Sequence, residues 1–387
     1  MNRVTIDLHK LRHNIKVIKG WMEKHGSTWT VVTKVLCGHT DTLRALQLLG
    51  VRSMGDSRLA NLQAIEKLVP DFESWYLRVA DLSSVKHVAD LADVSLNSET
   101  EVIKELNKAA QHINRVHRIV IMIELGDLRE GILPGSLVKF YETVFELSNI
   151  EVIGIGANLG CMAGAVPNID QFTQLVLYRE LLELKFKHRL PIISAGSSAV
   201  LPLLLEGTLP RAINHFRIGE AIFLGTDLVN GDTLPKLNND AITLEAEIAE
   251  IKEKGLVPLA ETISMTPFES DQTNGDFSPG QRGYRALVSI GQLDTEVTGL
   301  TPIDSRYQIA GASSDVTVIN IGDEPDNLKV GDTVKFRLNY AALLRLMSGK
   351  YIDKVVSPSL DEFENLPESE LLEVEPAIEA AVEDYLE

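Results

Sequence analysis

Lys34 closes the apolar run Thr30-Val31-Val32-Thr33-Lys34. A lysine there can lay its stem along apolar surface and keep its ammonium at a rim. It can also be an amine whose pKa burial lowers, so that it attacks a carbonyl and forms a Schiff base. Three later segments carry further chemistry. Glu124-Leu125-Gly126-Asp127-Leu128-Arg129-Glu130-Gly131 brings in Arg129, Gly156-Ala157-Asn158-Leu159-Gly160-Cys161 brings in Asn158, and Arg217-Ile218-Gly219-Glu220 brings in a second guanidinium. The segment Ser194-Ala195-Gly196-Ser197-Ser198 supplies backbone N–H groups and the hydroxyls of Ser197 and Ser198. Ile218 and Gly219 supply more N–H groups, and two such loops make a phosphate cradle. An aldehyde for the lysine and a phosphate for the loops together describe pyridoxal 5′-phosphate.

These groups need a frame that brings strand ends together. Short β-branched runs occur at Trp29–Val35, Val51–Gly55, Ser74–Val79, Val94–Leu96, His117–Leu125, Glu151–Asn158, Pro191–Ala195 and Asn214–Ile218. Amphipathic stretches lie between them, among them Thr42–Leu49, Leu59–Leu68, Glu99–Gln111 and Ile169–His188. Eight strands, each with a helical crossover, predict an α/β fold of the (β/α)8, TIM-like type, with an open doubly wound sheet as the alternative. In such a barrel the C-terminal strand ends carry the chemistry, and phosphate sits at the loops after strands seven and eight.

The texture changes after Leu234. Helical periodicity fades beyond Lys254, and strand-like runs follow at Leu256–Ser264, Tyr284–Gly291, Tyr307–Ala310, Thr317–Ile321 and Thr333–Leu338. Turn residues separate them. The expected organisation is a cofactor-binding barrel over 9–234 and a β-rich C-terminal domain over 235–356. Residues 1–8 join that domain through the strand-like Val4–Leu8, and an acidic tail runs over 357–387.

The chain has 387 residues and a net charge of −18. From Asp361 to Glu387 there are 11 acidic residues and no lysine or arginine, which reads as a solvated appendage. No basic face suggests nucleic acid. No apolar run approaches the roughly 20 residues of a membrane span, and the first residues do not form a signal peptide. Two cysteines, Cys37 and Cys161, suggest a reducing, cytoplasmic compartment without structural disulfides.

Taken together, five motifs resemble the alanine racemase superfamily of fold-type III pyridoxal-phosphate enzymes, and within it the ornithine racemase branch. They are Thr33-Lys34-Val35-Leu36-Cys37-Gly38, Gly55-Asp56-Ser57-Arg58, Leu125 to Gly131, Gly154 to Cys161, and Arg217-Ile218-Gly219-Glu220-Ala221. The resemblance runs from about Arg3 to Val356 and leaves the acidic tail unmatched. It implies an amino-acid racemase in which Lys34 holds the cofactor as an internal aldimine and returns a proton to Cα. Arg217 would face the pyridine nitrogen. Arg129 would approach the cofactor's phenolic oxygen or the substrate carboxylate, and Asn158 would pack against the ring. Ser197, Ser198, Ile218, Gly219 and, from the β domain, Tyr340 would hold the phosphate. It also implies a homodimer, with each β domain covering the other subunit's barrel. Ornithine or a related basic amino acid is the expected substrate.

The chain departs from the family in two places. Where the family's β domain offers a tyrosine as second base, this chain reads Ile290-Gly291-Gln292-Leu293-Asp294. Where the family has a carbamylated lysine it has Met122. Candidates for the second base are Ser314 and Asp315 first, then Asp294, Ser313, Cys37 and Cys161. Glu220 stands where alanine racemases have an apolar residue, and suits a cationic side chain. The alternatives are an alanine or broad-specificity racemase, a non-catalytic pyridoxal-phosphate carrier, a two-thiol racemase using Cys37 and Cys161, and other fold-type III activities. His9 and His13 are spaced as i, i+4 but lack a third ligand. No His or Cys follows His215, so no metal site is expected.

Overall fold

The computed structural model describes residues 2–68, 72–258, 277–325 and 327–365. Its eight parallel strands close into a barrel: β2 (Thr28–Val32), β3 (Ser53–Asp56), β4 (Glu73–Tyr76), β5 (Val94–Asn97), β6 (His117–Met122), β7 (Ile150–Gly156), β8 (Ile192–Ser197) and β9 (His215–Ile218). β1 (Arg3–Asp7) precedes them and belongs elsewhere. The strands are short and buried on both faces, as parallel strands inside a ring of helices must be. Trp75, Leu77, Val94, Leu96, Val120, Met122, Ile153 and Ile192 form one apolar cluster. β9 closes the ring on β2, pairing Thr30 with Arg217 and Val31 with Ile218. After β9 a small hairpin, β10 (Thr226–Asp227) with β11 (Asp232–Thr233), ends this part of the chain.

The chain divides into two compact units, residues 1–11 with 239–359, and 12–238 with 360–387. The first is an antiparallel sheet, with β12 (Ile242–Gly255), β13 (Arg282–Val288), β14 (Leu300–Pro302), β15 (Gln308–Ala312), β16 (Thr317–Gly322) and β17 (Thr333–Leu338) in the order β14-β17-β12-β13-β16-β15. β1 pairs antiparallel with β12, and β18 (Asp353–Ser357) pairs parallel with β1. The turn Ser313–Asp315 links β15 to β16.

Three sequence expectations need correcting. The stretch from Ile242 to Gly255, rich in Glu, Lys and Ala, reads as the end of the helical texture. It is instead a strand of 14 residues, the longest described. Ile242, Leu244, Ala246 and Ile248 alternate onto a buried face, and that period of two overrides helix propensity. The expected strand Leu256–Ser264 begins as a bend, and residues 259–264 lie outside those described. The tail is not wholly an appendage: Leu360–Glu364 forms a short helix with Phe363 fully buried, and Glu364 pairs with Arg44 at 2.5 Å. Residues 366–387 lie outside the described residues. Among the described residues no helix is long and apolar enough to cross a membrane.

Gly196 shows how tightly the barrel holds the expected phosphate loop. A Cβ there would sit 2.1 Å from the Phe216 ring on the next strand. Gly196→Ala should therefore fold but lose about 1–3 kcal/mol from displaced packing, measurable by urea denaturation.

Candidate active site

Lys34 follows β2 after one residue, Thr33, in a single helical turn Lys34–Leu36. Its position is set from the next strand. Asp56, fully buried at the end of β3, accepts from the Thr33 hydroxyl at 2.9 Å, from the Arg58 backbone N–H at 2.9 Å and from Asn61 at 3.1 Å. Burial pushes the Asp56 carboxyl up, against these hydrogen bonds. Burial also pulls the Lys34 ammonium below its usual value, and the charges of Arg129 and Arg217 add to the effect. A lysine shifted this way is a better nucleophile near neutral pH.

Arg129 reaches the site on a loop that its own carboxylate organises. Glu124 accepts from the backbone N–H of Gly126 at 2.5 Å, Leu128 at 3.1 Å and Arg129 at 3.0 Å. Gly131 closes the loop at φ +151°, where a Cβ would lie 2.4 Å from the Glu124 nitrogen. Asp127, also buried, accepts from the backbone N–H groups of Cys161 and Met162, tying this loop to the one after β7.

The two guanidinium groups meet through Glu130. Arg129 grips it with two N–H groups, one of them Nη2 at 2.6 Å, and Asn158 Nδ2 donates to it at 2.5 Å. Burial alone would raise the Glu130 carboxyl, but the hydrogen bond and charge of Arg129 outweigh it and hold it below its usual 4.5. Arg129 in turn is raised by Glu130. Arg129 Nη1 also donates to Cys161 Sγ at 2.9 Å. Arg217 is buried on β9. Its Nη1 donates to the Ser194 carbonyl at 2.5 Å and to the Ser194 hydroxyl, and its Nη2 to Ala157 O at 2.9 Å and Asn158 Oδ1 at 2.8 Å. Burial pulls it down to about 10, so it stays charged at neutral pH.

Lys34, Arg129, Asn158 and Arg217 thus share one charged cluster at the strand ends. Ser197, Ser198, Ile218 and Gly219 lie on the adjoining ends of β8 and β9. Ser198 Oγ accepts from the Ala221 backbone at 3.2 Å, whereas the buried Ser197 Oγ has no hydrogen-bond partner. Met122 is fully buried in the barrel's apolar cluster. Cys37 is half-buried in a left-handed backbone conformation, with Sγ near Lys34 O, and Cys161 is exposed.

Tyr340, Ser314 and Asp315 belong to the other unit. Tyr340 opens a helix, Tyr340–Ser348, capped by Asn339. Ser314 Oγ donates to Asp315 at 3.0 Å. This turn packs against the Gly291–Asp294 turn: Gln292 N donates to Ser313 O and Leu293 N to Ser314 O, both at 3.0 Å. Sequence reasoning missed Glu130, Asp56 and Glu124 as organisers of the site. All three lie inside or beside the quoted motifs, but nothing in their spacing distinguishes a carboxylate that positions a partner from a solvated one. Among the described residues no group of three or more His, Cys, Asp or Glu is arranged for a metal.

The closed parallel barrel with an antiparallel β unit is the architecture of the alanine racemases. The biosynthetic alanine racemase of Pseudomonas aeruginosa superposes with a TM-score of 0.71 at 16% identity, over 92% of this chain and 99% of that one. An alanine racemase of Bartonella henselae, solved with covalently bound pyridoxal phosphate, gives 0.68 at 15% identity, over 92% and 99%. The chain belongs to the alanine racemase family: the family described as alanine racemase, N-terminal domain, matches residues 6–227. An ornithine racemase of Acetoanaerobium sticklandii is 38% identical over 353 residues, covering 91% of this chain and 98% of that protein. A lysine racemase of Thermotoga maritima is 31% identical over 358 residues, covering 92% and 99%.

Because Glu130 is held below its usual value, its pairing with Arg129 stabilises the fold at neutral pH and is lost as acid protonates the carboxylate. Glu130→Gln should be less stable than the natural chain at neutral pH. The gap, read from urea midpoints, should narrow as pH falls below about 4.5.

Proposed function

We propose that this chain is a pyridoxal-phosphate-dependent racemase of basic amino acids, with ornithine the preferred substrate, working in the cytoplasm as a homodimer. The observation that carries this reading is the half-buried Lys34 amine beside Arg129 and Arg217, in a chain 38% identical to an ornithine racemase. The residues fit the cofactor on three counts. Lys34 is a half-buried amine whose pKa burial lowers. The Ser197 hydroxyl is buried and unpartnered beside the Gly219 loop. Four of the five Arg217 N–H groups are engaged, and no described residue takes the fifth, on Nε.

When bound, pyridoxal phosphate withdraws electron density from the amino acid's α-carbon, so its Cα–H bond can be broken and remade. Lys34 holds the cofactor and moves the proton at Cα on one face. Ser197, Ser198, the backbone of Ile218 and Gly219, and Tyr340 hold the phosphate. Arg217, with Nε left over, would face the ring nitrogen. An arginine keeps its proton, so that nitrogen gains no full charge, which favours return of a proton to Cα over other fates. Arg129, fixed by Glu130, binds the substrate carboxylate or the phenolic oxygen, and Asn158 packs against the ring. Ser314 and Asp315 serve the opposite face of Cα from the neighbouring subunit. Their support is adjacency to Gln292, the position where the family's tyrosine stands. Glu220 supports a cationic side chain: burial pushes its carboxyl up to about 7, and a cation beside it would reverse that shift. The cytoplasmic placement rests on two cysteines that form no disulfide with each other.

Reduction with borohydride after incubation with pyridoxal phosphate should label Lys34. Lys34→Ala should lower Cα proton exchange, followed in deuterated water with a panel of amino acids, by about 10³-fold or more. Label on another lysine, or exchange confined to small neutral amino acids, would replace the mechanism or the substrate. For the shared site, Lys34→Ala chains mixed with chains altered at both Ser314 and Asp315 should recover turnover in verified hybrids. Hybrids that stay inactive would move the second proton site to Cys161, which Arg129 touches.

A further inference from the structure

We propose that the hydrogen-bonded chain Glu73–Ser53–Thr30–His215–Ser194 inside the barrel is the positioning device of Arg217 in racemisation. It acts by holding His215 as the neutral tautomer protonated on Nε2. The role given to Arg217 rests on the function proposed above; the polarity of the chain does not.

Each link joins neighbouring strands. Ser53 Oγ on β3 donates to Glu73 Oε2 on β4 at 3.3 Å. Thr30 Oγ1 on β2 lies 2.7 Å from Ser53 Oγ and 3.1 Å from His215 Nε2 on β9. His215 Nδ1 lies 2.7 Å from Ser194 Oγ on β8, which accepts from Arg217 Nη1. Thr30, Ser194 and His215 are fully buried and Ser53 nearly so, so water cannot substitute for a missing partner.

The direction of every bond follows from the carboxylate end. Glu73 Oε2 receives Ser53 and the Trp75 indole N–H at 2.8 Å, and Arg118 forms an ion pair with Oε1 at 3.2 Å; burial pushes the carboxyl up, but the guanidinium and the two donors oppose that and suit the ionised, acceptor-only form. Ser53 spends its one proton on Glu73, so it must accept from Thr30. Thr30 spends its proton on Ser53, so it must accept from His215 Nε2. His215 is neutral: burial pushes it well below its usual value, and the Trp75 ring stacks on it with centroids 4.5 Å apart. A neutral imidazole protonated on Nε2 accepts at Nδ1, so the Ser194 hydroxyl donates there. That leaves the Ser194 oxygen free to accept from Arg217.

With the opposite tautomer, Nδ1–H, the Ser194 oxygen would accept from His215 and Arg217 together, and the hydroxyl's own proton would lose Nδ1 as its acceptor. The guanidinium would then share one of the two acceptors that hold Nη1 with the imidazole N–H. Rotation of that planar group moves Nε, the donor left for the ring nitrogen. A carboxylate near the start of β4 thereby fixes the aim of a group near the end of β9.

Nitrogen-15 NMR of the histidine-labelled full chain reads the tautomer directly. The expected result is a neutral His215 with its proton on Nε2. Thr30→Val keeps the shape but removes the acceptor, so the proton should move to Nδ1. Turnover should then fall about 10-fold in kcat with KM within about 2-fold, and Thr30→Ser should restore both readouts. Ser53→Ala, one link further away, gives the same test should Thr30→Val not fold. A charged or Nδ1-protonated His215 in the natural chain overturns the proposal, as does a tautomer shift that leaves kcat unchanged. A natural chain with the Nε2 tautomer but no racemisation of any amino acid would overturn the proposed function, and with it the catalytic half of this inference.

Discussion

A guanidinium taken out of water must find acceptors for its protons or cost several kcal/mol, and the arrangement around Arg217 answers that demand. Its acceptors come from β8 and from the residues just after β7, and its charge is balanced by Glu130, which also holds Arg129. The requirement reaches backward into the fold. The β8 carbonyl must stand where the barrel's curvature puts it, Asn158 must be turned inward, and the loop of Arg129 must be folded on Glu124. A cluster of three cations and one carboxylate in one cleft would repel itself in the absence of anions. That imbalance suits a ligand carrying phosphate and a substrate carrying carboxylate.

The barrel interior has two characters. One side is apolar, from Trp75 round to Ile192. The other is lined by hydroxyls and an imidazole that form a continuous hydrogen-bonded path. Buried polar groups are costly only when unpaired. Here the three hydroxyls and the imidazole are all paired, so the polar side can be as well defined as the apolar side and more directional. Trp75 stands at the border, with its ring on His215 and its N–H on Glu73.

Much of this was legible in the sequence, because β-branched runs and glycine-rich strand ends report the barrel and the place of Lys34. Arg129, Asn158 and Arg217 could be assembled from motifs. What escaped was whatever depends on the third dimension. Ile242–Gly255 carries helix-forming residues but alternates, and only pairing with β1, β13 and β17 decides for the strand. Thr30, Ser53 and Glu73 look like ordinary strand residues, since their significance lies in barrel closure rather than in spacing. Phe363 sits in an acidic stretch whose charge hides this buried anchor.

The first strand of the chain is among the last to find its partners. Arg3 pairs with Glu245 and with Asp353, so β1 is flanked on both sides by segments made long after it. During synthesis on the ribosome the residues of the barrel emerge in an unbroken run and can close while β1 waits with both edges bare. Such long-range pairing is slow to form and exposed to misassociation. β1 is short and carries Arg3 and Asp7 at its ends, features that discourage a waiting strand from pairing with strangers.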